Sequence, residues 1–454
     1  MNRSPLNLFF SGIGGSGVSA IASFMAGKGH RISGSDRAFD SNPLHPVFRA
    51  LIRNGMAIVP QDGSGIHKAL DLLVVSTAVE SDQPEIIRAR ELGIPIKTRP
   101  HYLAEIVSSF RTIAVAGTSG KSTASGILAF LMQRLGLRPN FIGGGRVKNL
   151  ASDTNPGNAV AGDSEHLVIE ACESDGTIVD YRPVHSIILN LDLDHHSIDK
   201  TREMFRALIR NTSGMIILNA DDGRLGTIAP RHALTFSIDS SSLYRPEQVL
   251  YHDFGTDFFL RDIPFHLSIP GKYNLSNALA GISLLAETGI PLPDIARFLP
   301  EFSGIDRRFD IHLNDGKRLV VDDYAHNPHK IASLMGTMKQ IRERICYIFQ
   351  PHGFAPTRMM KKEYVDAFAG HLRDADHLIL LPIFYAGGTV SKDISSHDLA
   401  EGIRAKGKSV EVVEKRENII ERASDWNTYV VLGARDETLS DFTHGIADAL
   451  LKKN

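Results

Sequence analysis

The sequence predicts an α/β protein made of three doubly wound units in series. Three observations carry that expectation. A chain of 454 residues is too long for one ordinary core. Two glycine-rich loops each join an apolar strand to a helical pattern. Strand and helix patterns then go on alternating to the C-terminus, as they do when a parallel sheet is covered on both faces.

In the first unit, Leu8-Phe-Phe-Ser-Gly-Ile-Gly-Gly-Ser-Gly-Val-Ser19 reads as a strand and a glycine loop. A helix follows through Ile21 and Phe24 and stops near Gly29. A second strand ends at Ser35-Asp36, and Asp36 falls where dinucleotide-binding folds place an acid for a ribose hydroxyl. The loop alone cradles any diphosphate, so NAD, FAD and a nucleotide sugar all stay open. Leu72 to Ala78 is a buried strand ending in small polar residues, Ile94 to Lys97 a short one, and the unit closes near Ser108 to Arg111.

The second unit opens on Thr112-Ile-Ala-Val-Ala-Gly-Thr-Ser-Gly-Lys-Ser-Thr-Ala-Ser125, a strand, a tight loop and a first helical turn. Gly117 and Gly120 let the backbone turn and approach a phosphate, and Lys121 adds a positive charge at the helix start. Ser122 or Thr123 offers the hydroxyl that completes a Mg²⁺ shell in nucleotide sites. Val115 stands where the commonest phosphate loop has a glycine, which leaves the narrower Gly-Thr-x-Gly-Lys-Ser/Thr signature. Ile127, Leu128, Phe130, Leu131 and Leu135 recur at helical spacing until Gly136 and Pro139.

Leu167 to Asp175 and Ser186 to His196 are strands that deliver acidic and histidine side chains at their C-terminal ends, where open parallel sheets bind ligands. A buried unpaired carboxylate costs several kcal/mol. Glu170 and His195 are therefore expected to serve a metal or catalysis, while for Glu173, Asp175 and His196 solvated strand ends compete with that reading. Ile269 to Asn277 opens a helix with Asn274 and Asn277 on one face, where helix capping competes with ligand binding. A boundary falls around Phe302 to Asp306. Beyond it come Arg307 to Asp310, strands ending at Asp322-Asp-Tyr-Ala-His-Asn-Pro-His329 and Gln350-Pro-His-Gly353, two later strands and an amphipathic terminal helix.

Composition narrows the function classes. A formal charge of −2 gives no global attraction for nucleic acid, so polyphosphates must be held by local loops and arginines. Cys172 and Cys346 sit in apolar strand-like runs without a disulfide framework, pointing to a reducing cytosol. No signal segment or spanning apolar run is visible, so a cytoplasmic protein without a membrane partner is expected.

Taken together, Gly12 to Gly17, Gly117 to Thr123, Glu170 to Asp175, Asn190 to His195, Gly271 to Asn277, Arg307 to Asp310 and Asp322 to Pro328 resemble, in order and spacing, the ATP-dependent Mur ligases of bacterial cell-wall precursor synthesis. The short first unit with Ser33-Gly-Ser-Asp36 looks like the branch acting on UDP-N-acetylmuramate itself. The resemblance implies an N-terminal Rossmann-like UDP-binding domain over residues 1–108, a central P-loop ATPase-like domain over 109–304 and a C-terminal Rossmann-like domain over 305–454 that binds the amino substrate and closes over ATP. It implies an activity in which ATP phosphorylates the lactyl carboxylate of UDP-N-acetylmuramate and L-alanine attacks the acyl phosphate. The cofactors it implies are ATP and Mg²⁺. The partners are small molecules, and the chain is expected to be a monomer or a weak homodimer.

The residue roles follow from the same resemblance. Gly117, Thr118, Ser119, Gly120, Lys121, Ser122 and Thr123 would cradle ATP, with Asn274, Asn277, Arg307 and Asp323 completing the nucleotide site. Ser122, Glu170 and His195 would hold metal; Lys121, Glu170, His195, Arg307 and His326 would act in catalysis. Gly12, Gly14, Gly15, Ser16, Gly17, Asp36 and Ser76 would bind the UDP end, and Tyr324, His352 and Arg358 the amino substrate. Alanine-adding relatives usually carry arginines where this chain has Gly353 and Pro356. A carboxylate is best held by an arginine fork, so a tripeptide donor of the recycling type, or another amino acid, remains the alternative. An NAD-dependent oxidoreductase and a silent nucleotide-sugar sensor are remote rivals. Both leave Lys121, Glu170 and His195 without a task.

Overall fold

Four sheets emerge from the alternating pattern in the computed structural model, which describes residues 4–43, 45–77, 79–194, 196–385 and 391–452. The chain divides into two compact units, Met1–Ile305 and Asp306–Asn454.

The first unit contains three of the sheets. One is entirely parallel: β1 (Asn7–Ser11), β2 (Arg31–Ser35), β3 (Ala57–Val59), β4 (Leu72–Val75) and β5 (Ile96–Thr98), in the order β3-β2-β1-β4-β5. All four residues of β4 are buried, as expected of a strand covered on both faces. A second sheet comprises β6 (Arg111–Ala116), β7 (Asn140–Ile142), β8 (Ala159–Val160), β9 (His166–Glu170), β10 (His185–Ile188), β11 (Ile216–Asn219) and β12 (Leu234–Phe236). Its order is β12-β11-β10-β6-β9-β7-β8, parallel except for β7 against β8. The strand preceding the phosphate loop, β6, therefore lies between β9 and β10, the two strands that lead to the acidic and histidine segments.

One hydrophobic cluster joins these two sheets. Leu8, Phe10 and Phe24 belong to the same buried group as Ala114, Leu167 and Ile169. The opposite face of the second sheet packs on the helices Lys121–Arg134 and Lys272–Glu287. The third sheet is an antiparallel ribbon of β13 (Glu247–His252), β14 (Gly255–Leu260) and β15 (Ile263–Leu267). This ribbon lies outside the strand and helix alternation legible in the sequence. Its edge strand β13 is exposed almost throughout, so it lacks the apolar run that marks the parallel strands.

The second unit is a mixed sheet of β16 (Asp310–Asn314), β17 (Leu319–Asp323), β18 (Cys346–Gln350), β19 (His377–Leu380), β20 (Val410–Val412) and β21 (Thr428–Gly433). The order is β16-β17-β21-β18-β19-β20, and β16 is the antiparallel edge. Its amphipathic terminal helix spans Thr438–Lys452.

The structure corrects one sequence reading and closes an alternative that another left open. Cys172 is not in a strand but just beyond β9, although both cysteines are free. Neither asparagine caps the helix Lys272–Glu287, whose N-cap is Gly271. Among the described residues, no helix is long and apolar enough to cross a membrane.

Candidate active site

The phosphate loop leaves the C-terminal end of β6 and turns into the helix Lys121–Arg134. Gly120 has φ 81°, and a Cβ there would lie 2.3 Å from Asn277 Oδ1, so backbone conformation and space both require glycine. Thr118, Lys121, Ser122 and Thr123 are all buried. The loop is held from β10's side by Asn190, whose Oδ1 accepts from Thr118 Oγ1 and Ser119 N, both at 2.8 Å. Asn190 Nδ2 donates back to Ser119 O at 3.1 Å. The sequence placed Asn190 at the head of the Asn190 to His195 segment but assigned it no role. Its only signal was an amide placed directly after an apolar strand.

Lys121 Nζ donates to Gly117 O at 2.6 Å and to Glu173 Oε2 at 2.9 Å. Desolvation works against the ammonium, but Cys172, Glu173 and Glu170 outweigh it and raise the Lys121 pKa. The lysine therefore stays charged at any ordinary pH. Glu173, weighed between ligand and solvated strand end, is 1% exposed and serves as the counter-ion of Lys121. Beside them, Ser122 Oγ donates to Glu170 Oε2 at 2.6 Å, and Gly144 N donates to the same oxygen at 2.9 Å. The register explains the meeting, since Glu170 pairs with Val115 one residue before the end of β6. A hydroxyl and a carboxylate on one spot are hard oxygen donors of the kind that suit Mg²⁺. His195 lies outside the described residues. No group of three His, Cys, Asp or Glu side chains that could hold a metal occurs among the described ones. Asn274 Nδ2 donates to Pro270 O at 2.7 Å, inside its own helix start.

The first glycine loop follows β1. Gly12 has φ 79°, and a Cβ there would meet Ser76 Cβ at 2.9 Å, so the loop and the end of β4 pack directly. Gly15 caps the helix Ser16–Gly27, which leaves Ser16 and Gly17 to present their amides outward. Asp36 is occupied: Oδ2 accepts from Gly14 N at 2.8 Å and Oδ1 from Ala38 N at 2.9 Å. It holds the loop and caps the next helix.

In the second unit, Arg307 is buried, with φ 57°. Its Nε donates to Asp322 at 3.1 Å, Nη1 to Asp436 O at 3.0 Å and Nη2 to Gly433 O at 2.8 Å. Asp323 accepts from Phe309 N and Ala325 N, both at 2.7 Å, yet desolvation pushes its pKa up to about 6. Tyr324, His326 and His352 form a row of edge-to-face rings with centroids 5.6 and 5.2 Å apart. His326 Nδ1 lies 2.8 Å from Tyr324 O, an oxygen that can only accept, so Nδ1 is the donor. Arg358 donates to Ser391 O and pairs with the Asp393 carboxylate. A cavity of about 570 Å³ is lined by Gln350, Phe384, Tyr385, Lys392, Arg416 and Asp436, among others.

Comparison with known proteins places this arrangement. Residues 8–111 match the catalytic domain of the Mur ligase family, 115–285 the Mur ligase middle domain, and 307–435 the Mur ligase, glutamate ligase domain. The chain is 31% identical to UDP-N-acetylmuramate–L-alanine ligase of Nitrosomonas eutropha, over 100% of this chain and 99% of that protein. The solved UDP-N-acetylmuramate-alanine ligase MurC of Thermotoga maritima superposes with a TM-score of 0.82 at 27% identity, covering 99% of this chain and 100% of the other. A murein peptide ligase from Psychrobacter arcticus shares the fold, with a TM-score of 0.71 at 23% identity and 98% of each chain covered. With its phosphate loop, acidic strand ends and three family segments in sequence, the chain belongs to the Mur ligase family.

Proposed function

We propose that this protein joins L-alanine to the lactyl carboxylate of UDP-N-acetylmuramate at the expense of ATP, in the cytoplasm. The observation that carries the reading is the pairing of Lys121–Glu173 with Ser122–Glu170 on one asparagine-clamped loop. Full-length similarity to alanine-adding ligases supports it. The chain would carry this activity on three domains, residues 1–108, 109–304 and 305–454.

Phosphoryl transfer needs positioning and charge neutralisation more than a protein nucleophile. The substrate carboxylate oxygen takes the γ-phosphoryl group, and ADP departs. The amine then attacks the carbonyl carbon, phosphate leaves with the C–O electron pair, and the nitrogen gives up a proton. Lys121 would exchange Gly117 O for phosphate oxygens while keeping Glu173. Ser122 and Glu170 would hold Mg²⁺, which when bound neutralises charge on the phosphates. His326, protonated at Nδ1, presents Nε2 as the base for the amine proton.

A second reading stays alive on one observation. Arg358 is tied to Asp393, and Gly353 and Pro356 offer no cation for a small amino acid's carboxylate. A larger peptide donor would suit the cavity of about 570 Å³ better than alanine does. The test is phosphate release from ATP and Mg²⁺ with UDP-N-acetylmuramate and, in turn, L-alanine, L-serine, glycine and the L-Ala-γ-D-Glu-diaminopimelate tripeptide. Release selective for L-alanine supports the proposal. Release with the tripeptide alone overturns it in favour of the second reading.

A further inference from the structure

Arg99 lies against the first glycine loop and the segment after β9, and the function above gives it no task. It opens the helix Arg99–Ser108 immediately after β5, on the edge of the first sheet where β1 delivers the Gly12 to Gly17 loop. Its Nη2 is ion-paired with Asp175 Oδ2, on the segment that also carries Glu170 and Glu173. The other Asp175 oxygen accepts from Thr177 N at 3.0 Å and Thr177 Oγ1 at 2.6 Å, so the carboxylate cannot swing. Against the opposite side of the guanidinium lies Gly17, where a Cβ would come within 3.4 Å of both Cδ and Nη1. The two side chains keep 19% and 12% of their surface, so the pair is sheltered but reachable.

Two features separate this from an ordinary surface ion pair. Only one guanidinium nitrogen is used: Nε and Nη1 have no acceptor among the described residues, although Arg carries five N–H donors. The loop also lacks a cation of its own. Its charged neighbours include Asp36 and the fully buried Glu85, and Arg37 is engaged by Glu80. A diphosphate held by backbone amides beside two carboxylates needs a counter-charge, and Arg99 brings one to the first turn of the helix Ser16–Gly27.

We propose that Arg99 is a binding residue for the diphosphate of the nucleotide-sugar substrate, with Asp175 as the positioning residue that aims its fork. The inference rests on the reading of Gly12 to Gly17 as the UDP loop. It also gives Asp175 a task other than metal binding. A carboxylate on the sugar would attract the same donors, so the ligands must separate the two anions.

The test is calorimetric titration of the full-length protein and its R99Q, R99K and D175N variants with uridine, UDP and UDP-N-acetylmuramate, with ADP as a control for the other loop. R99Q keeps the length and packing of the side chain. R99Q is expected to weaken UDP and UDP-N-acetylmuramate equally, by roughly 10- to 100-fold, the loss expected for a charge-assisted hydrogen bond. Uridine and ADP affinities should not change. R99K should recover part of the loss, and D175N should weaken UDP less than R99Q does. In turnover the loss should appear in KM for the sugar nucleotide rather than in kcat. Unchanged UDP affinity in R99Q overturns the inference, and so does a loss confined to UDP-N-acetylmuramate, which would assign Arg99 to the carboxylate. Parallel loss of ADP affinity would mean general damage and would also count against it. Wild-type protein that binds neither UDP compound would overturn the proposed function itself, and this inference with it.

Discussion

Asn190 and Ser119 exchange hydrogen bonds, Ser119 N donating to Asn190 Oδ1 at 2.8 Å and Asn190 Nδ2 to Ser119 O at 3.1 Å. A side-chain amide thus treats one residue of the phosphate loop as a strand would treat its neighbour, and Thr118 Oγ1 adds a third bond. The loop's shape is therefore held by the protein's own hydrogen bonds. Asn190→Ala removes all three bonds, at about 1 kcal/mol each. ADP affinity is expected to fall roughly 10- to 100-fold with little change in sugar-nucleotide affinity. Titration with each ligand checks this, and equal loss of both would contradict it.

The Lys121–Glu173 pair is buried on both sides, with side-chain exposures of 9% and 1%. Lys121→Met leaves a buried carboxylate without its cation and should cost roughly 3 kcal/mol of stability as well as activity. The double change Lys121→Met with Glu173→Gln should regain most of that stability and none of the activity. Chemical denaturation read beside ATP turnover separates the two effects.

Gly120→Ala should destabilise the chain by about 2–3 kcal/mol, from a left-handed non-glycine residue and from overlap with Asn277. Adding Asn277→Ala removes the overlap and leaves the backbone strain. The double variant should therefore denature at a midpoint between those of wild type and Gly120→Ala. A midpoint no better than that of the single variant would show that backbone strain accounts for the whole cost.

Burial pushes the Asp323 carboxyl up to about 6, above the usual carboxylate range. Its folded pKa is raised, so its contribution to stability is fully present below the unfolded value and is lost as pH rises through about 6. The full displacement is worth roughly 3 kcal/mol, and the remaining solvent contact of the side chain brings the expected loss to about 1–2 kcal/mol. Denaturation of wild type and Asp323→Asn between pH 4 and 7 should show the difference between them shrinking by that amount. Carbon-13 titration of labelled aspartate should place the carboxyl midpoint well above the usual range.

Local chemistry was legible in the sequence where one segment sufficed. The glycine loops and the strands before them stood out because short apolar runs ended in residues able to take positive φ, as Gly12 and Gly120 do. Contacts set by strand order were harder to read. Asn190 meets Ser119 only because β10 lies beside β6, and Glu173 meets Lys121 only because β9 flanks β6 on the other side. Nothing in the Arg307 to Asp310 segment announced that the guanidinium would be enclosed by Asp322, Gly433 and Asp436, the last two more than a hundred residues away in sequence. The ribbon of β13 to β15 escaped because its alternation is weak and its edge strand is wet. The partner of Arg358 escaped because an exposed arginine can reach many acids.

The hydrophobic cluster that runs from Leu8 and Phe10 to Leu167 and Ile169 spans the first two sheets, so the two are expected to open together. Amide hydrogens of β1 and β9 should then exchange with a common opening free energy, which hydrogen exchange on the two strands checks. Thermal fluctuation therefore carries the two glycine loops together, and the spacing between their ligands is inherited from folding and is not searched for anew at each turnover.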